Sequence, residues 1–145
     1  MRRLRARDDR GSAVLEFIVV GVLILIPMAY LVLSVMRVQA AVFASTQAVR
    51  EAGRAYVTAD SVPRAQVRAV TAARLAFVDQ GFTLPVDALT VRCRPTACLT
   101  PGGAVDVEAR WSVPLPWLPA TLGDVAAVPI TAVHSLPVDT YRGAG

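Results

Sequence analysis

Between Val14 and Met36 lie 23 residues that are apolar apart from Glu16, Gly21, Pro27 and Ser34. At about 1.5 Å per residue, a helix of that length reaches roughly 34 Å, enough to cross the hydrocarbon core of a bilayer. The chain has 145 residues, room for one modest domain plus a span.

Charge is distributed unevenly around that run. Residues 1–10 carry Arg2, Arg3, Arg5, Arg7 and Arg10 against Asp8 and Asp9, which supplies +3 of the net +4. From Ser12 onward ten arginines face nine acids, with no basic stripe interleaved with aromatics. The excess is a terminal cluster, so nucleic acid is not an expected partner. A basic cluster before the span, with Arg37 alone just after it, predicts an N-terminus in the cytoplasm and a C-terminal part outside. The expected location is the cytoplasmic membrane, single-pass, with lipid as one partner.

Three kinds of segment share this description. One is an uncut signal anchor. Another is a secretory signal peptide cut after Val38-Gln39-Ala40, although the apolar run exceeds the roughly 7–15 residues usual for one. The third is cut on the cytoplasmic side, before the apolar run, and keeps its helix. The residues favour the third. Gly11 closes the basic leader, Ser12 becomes the first residue, and Glu16 falls fifth, followed by Phe17.

On Gly11, Glu16 and Phe17 the chain resembles the TadE-like pseudopilins of tight-adherence pili, whose motif reads Gly, four residues, Glu, then Phe or Tyr. The small Ser12-Ala13 pair also fits. The resemblance covers about the first forty residues. It implies cleavage between Gly11 and Ser12 by a prepilin peptidase, and assembly by an inner-membrane platform alongside other pilin or pseudopilin subunits. It also implies a minor pilin at the tip or base of a pilus, exposed on the cell surface after assembly. The other reading is a single-pass, signal-anchored envelope protein with an extracytoplasmic binding domain.

Glu16 asks for a physical reason of its own. A carboxylate at the centre of a spanning helix costs up to roughly 2.5–3.5 kcal/mol, less near the interface. Cleavage at Gly11 would free an α-amine on Ser12, cationic at neutral pH, one helical turn away. Glu16 would then pair with its own amine or a neighbour's, fixing the register of an incoming helix in low dielectric. The plainer alternative is a Glu that snorkels to the interface or is protonated.

Beyond Met36 the helical pattern continues. Val38, Val42, Ser45, Val49, Ala52 and Tyr56 form a narrow stripe, expected to cover this chain's own domain or to meet neighbouring helices. One helix is predicted from about Ser12 to Ala59. A second follows a break, with Ser61 as N-cap, Pro63 in its first turn, Val67, Val70, Leu75, Phe77 and Val78 inward, and Gly81 as its stop. "GFTLPVD" (81–87) echoes the start of other pilins, but no apolar span follows it; it reads as a helix-to-strand connection.

Alternation then predicts strands at Leu89–Arg94 and Ala104–Val113, and a third from Pro129 to Leu136. Pro101-Gly102-Gly103 forms a turn, and Arg92 and Arg94 are expected to face Asp106 and Glu108. "PLPWLP" (114–119) is a stiff loop whose Trp117 covers the sheet edge or meets a partner. The expected class is α+β: a leader (1–11), a transmembrane helix (12–36), its outer continuation (37–60), and a small domain (61–145) with a second helix and an antiparallel sheet of about three strands.

Cys93 and Cys98 are the two cysteines, separated by four residues. A disulfide closing that loop contributes roughly 2 kcal/mol by loop entropy. A zinc site would need two further ligands, and the chain has one histidine, His134, in a strand pattern. No cofactor or metal is expected. With one His, no phosphate-binding glycine loop and no carboxylate pair at catalytic spacing, the expectation is a structural part, not an enzyme.

Overall fold

The computed structural model describes residues 10–116, 127–141 and 143. The chain folds as helix α1 (Arg10–Val57), helix α2 (Val62–Asp79) and strands β1 (Leu89–Arg94), β2 (Ala104–Pro114) and β3 (Ala127–Pro137). It divides between Val35 and Met36 into two compact units. This is the α+β layout anticipated from the pattern, with β3 longer than expected at both ends.

The first unit is the apolar half of α1. Seventeen large apolar side chains between Val14 and Met36 are exposed, and none of the apolar window is buried among the described residues. Burying each is worth at least about 1.5 kcal/mol, so leaving all of them in water would forfeit on the order of 25 kcal/mol. That exceeds the stability of most domains several-fold. The segment is long and apolar enough to cross a membrane. Pro27 sits inside it, where transmembrane helices tolerate the missing N–H.

The second unit is the folded domain. The polar end of α1 is closed by Thr58, whose hydroxyl donates to the Arg54 carbonyl at 2.9 Å. Ser61 stands at the N-cap of α2 with extended backbone, though its side chain makes no capping bond. At the other end, Phe82 N–H donates to Phe77 O (2.8 Å) and Gly81 N–H to Val78 O (2.9 Å). This double bond pattern needs a left-handed residue between helix and exit, and Gly81 supplies it at φ +73°.

The sheet is antiparallel in the order β1-β2-β3. Leu89 pairs with Ala109 and Arg94 with Ala104 across β1–β2; Ala104 pairs with Pro137 and Trp111 with Ile130 across β2–β3. Val105, Val107, Ala109 and Val113 of β2 are buried. Both helices lie over that inner face. Trp111 on β2 meets Ser45 of α1 and Phe77 of α2. At Gly53 the helix comes close to the sheet: an ideal Cβ would stand 2.1 Å from Leu136 Cδ1, so a side chain there would have to displace the end of Leu136.

Three details of the expected packing are corrected. On α1 the buried side is Ala41, Ala44, Ser45, Ala48, Val49, Ala52 and Tyr56, whereas Val42 is 46% exposed. On α2 the core takes Ala65, Ala69, Ala73, Ala76 and Phe77, and turns Val67, Val70, Leu75 and Val78 to the outside. In both helices alanines make up most of the buried side, alongside the larger Val49, Tyr56 and Phe77. Alanines let the backbone approach the shared core, and larger valines on adjacent positions are displaced outward. On the outer face of the sheet Arg94 binds Asp106 at 2.7 Å, but Glu108 pairs with Arg110 on its own strand instead of with an arginine of β1.

Candidate functional site

Gly11 and Ser12 fall in the first turn of α1, and Glu16 and Phe17 follow in the next. Ser12 and Glu16 are four residues apart and share a helix face. Glu16 is exposed, and no hydrogen bond or ion pair within the described residues reaches it. Phe17 is 79% exposed. A carboxylate among the exposed apolar residues Val14, Leu15, Val19 and Val20, with no partner among the described residues, is placed to meet a cation. The leader residues 1–9 lie outside the described residues, as does Trp117.

Cys93 and Cys98 form a disulfide with a Cα–Cα distance of 5.1 Å. It closes the loop that joins β1 to the turn before β2. The Tyr56 hydroxyl lies 3.9 Å from the Cys93 sulfur, so the end of α1 and the disulfide loop meet. Burial pushes the Tyr56 phenol above its ordinary pKa. With both thiols joined, neither is a thiolate ligand for zinc. His134 faces inward on β3 opposite Val107, half-buried beside the core.

Asp106 is a titratable group shaped by the fold. The Ser135 hydroxyl directly across the β2–β3 ladder, helped by the Arg94 guanidinium, holds its carboxyl below the usual carboxylate range. These groups stitch all three strands on the outer face: Arg94 (β1), Asp106 (β2) and Ser135 (β3), with Arg94 also donating to Ser135 at 3.3 Å.

Two features escaped the sequence reading. Trp111 Nε1 donates to Ser45 Oγ at 2.7 Å, and Ser45 in turn donates to the Ala41 carbonyl at 2.8 Å. A serine at the centre of an apolar stripe was the available signal, because a buried hydroxyl must find a partner. Arg37 caps the same region, its guanidinium 4.3 Å above the Phe82 ring. Comparison with known protein families, with curated proteins and with solved structures finds no match.

Proposed function

We propose that the chain is a TadE-like minor pilin or pseudopilin, cut after Gly11 by a prepilin peptidase and assembled through α1 into a tight-adherence pilus. The observation that carries this reading is Glu16: a carboxylate with no partner among the described residues, on an exposed apolar helix, one turn from the residue that cleavage would make N-terminal. The new ammonium on Ser12, its own or a neighbour's, supplies the missing cation. In an apolar bundle that pairing selects one axial register, since slipping a subunit strands both charges.

Retention of the apolar helix is supported by its continuation. α1 runs on past Met36, and Ala41, Ala44 and Ala48 of the same helix are fully buried in the domain core. A cut at Ala41, as for a secretory signal, would leave the N-terminal charge beside that core. The leader arginines hold the N-terminus on the cytoplasmic side, where the peptidase and the inner-membrane platform act. The domain then projects outward, with its disulfide in an oxidising compartment.

Glu16→Ala tests the assignment. Membrane insertion is expected to be unchanged, because removing the acid lowers the cost of the span. Incorporation into fibres, followed in sheared filament fractions, is expected to fall at least tenfold. Normal incorporation would leave Glu16 without a role in register and favour a single-pass envelope protein.

A further inference from the structure

The sheet is charged along one part of its length and uncharged along the rest. Arg92, Arg94, Asp106, Glu108 and Arg110 occupy the part from the Arg94–Ala104 pair to the Arg110–Thr131 pair. Beyond it, Ser112–Pro116 and Ala127–Pro129 carry no charged side chain. Asp87 adjoins Ala88, whose carbonyl accepts from the Arg110 N–H at 2.7 Å, so this acid too is set back, by about 10 Å from Pro114. Pro114 and Pro129 are exposed; Leu115, Pro116, Ala127 and Val128 are half-buried. Contacts with α1 fix the level of this uncharged end. An ideal Cβ at Gly53 would stand 3.5 Å from Val107, and Ser45 is bonded to Trp111. Ser45 and Gly53 are about 12 Å apart along the helix and Val107 and Trp111 about 13 Å along the strand, so α1 and β2 run side by side in opposite directions. By the same steps Pro114, about 10 Å past Trp111, comes level with Val38 and Gln39. Val38 and Ala40 pack against the core cluster that holds Val113, as this level requires. The uncharged end of the sheet therefore reaches the turn of α1 that opens at Arg37, the first residue after the apolar run. Arg37 is exposed, and its guanidinium, over Phe82, forms no ion pair among the described residues.

We propose that this end of the sheet rests in the headgroup layer of the membrane that α1 crosses, in the leaflet at the Met36 end, with Arg37 reaching lipid phosphate. Continuity names the occupant: Arg37 is joined to the end of the apolar run by its peptide bond to Met36, and the headgroup layer extends roughly 5–7 Å beyond the hydrocarbon. An end built of Pro, Leu, Ala and Val enters that layer without stranding an ion, and the arginine complements its phosphates. The contact needs α1 to span a bilayer and is independent of cleavage at Gly11.

The test uses the full chain in phosphatidylcholine vesicles. The native cysteines are joined, so one added cysteine alone takes an environment-sensitive fluorophore. A lipid bearing a nitroxide just under its headgroup is expected to quench the fluorophore at Pro114→Cys at least about twofold and at Ser112→Cys less. At exposed Val133→Cys, paired with Glu108 about 20 Å back along the sheet, no quenching is expected. Pro129→Cys, opposite Ser112, gives the same reading from β3 should a substitution on β2 disturb that strand. Leu25→Cys, inside the apolar run, reports insertion. Quenching at Leu25→Cys with none at Pro114→Cys or Pro129→Cys would overturn the proposal and leave the span and the pilin reading standing; no quenching at Leu25→Cys would overturn both. Equal quenching at Pro114→Cys and Val133→Cys would also overturn it. So would a Pro114→Cys fluorophore shielded from aqueous iodide yet untouched by the nitroxide lipid, since protein would then cover this end.

Discussion

The hydrogen bond between Trp111 and Ser45 ties β2 to α1 through the centre of the domain, and its weight can be isolated. Ser45 is fully buried; its Oγ accepts from the indole N–H at 2.7 Å while donating to Ala41 O at 2.8 Å. Ser45→Ala removes a bond worth about 0.5–1.5 kcal/mol and strands the indole N–H. Against that, Ala in place of Ser returns up to about 0.5 kcal/mol of helix propensity. The expected net loss is about 0.5–1 kcal/mol. Trp111→Phe costs more, about 2–3 kcal/mol, because the six-membered replacement also weakens ring contacts to Phe77 and Phe82, whose centroids stand 5.0 and 5.2 Å from that of the indole. In the double variant the hydrogen bond is lost only once. The coupling energy should therefore be about 1 kcal/mol, a factor of about five in the unfolding equilibrium. Denaturant unfolding of the full chain in detergent, followed by far-ultraviolet circular dichroism, measures it without relying on indole fluorescence. Single-variant losses that add to within about 0.3 kcal/mol would show that the indole and the serine do not interact.

Other consequences concern the core and its titration. Ala41→Leu should destabilise the domain by about 1–3 kcal/mol through overpacking, while Val42→Ala next to it should cost less than about 0.5 kcal/mol; denaturant midpoints of the two variants compare them directly. Gly81→Ala should cost about 1 kcal/mol, since its φ of +73° is strained for any side chain, and thermal unfolding would register it. Tyr56 ionises less readily folded than unfolded, so the stability it supports is present below its unfolded pKa of about 10 and declines as pH rises beyond it. Tyr56→Phe should flatten that alkaline decline; an unchanged slope would place the decline elsewhere.

Element boundaries were legible because they rest on local chemistry. Ser61 and Pro63 open α2, Gly81 closes it, and the period-two alternation of β2 marks its buried Val105, Val107, Ala109 and Val113. Facing was less legible on the helices. Val and Ala both count as apolar, so hydropathy at helical spacing marked Val42 and Val67 as core when close approach required Ala41 and Ala69. Register across the sheet also hid the ion pairs: Arg92 stands opposite Asp106, yet the longer diagonal reach of Arg94 takes the carboxylate. For the candidate site, the motif at Gly11, Ser12, Glu16 and Phe17 was visible at once. The structure added that Glu16 finds no partner within the described residues.

Intact mass of the protein extracted from its membrane tests the central claim most directly. The account predicts a chain beginning at Ser12, lighter than the full 145 residues by Met1–Gly11 and still carrying the apolar stretch to Met36. A mass that retains the leader arginines, or one that begins at Ala41 with the span removed, would contradict it.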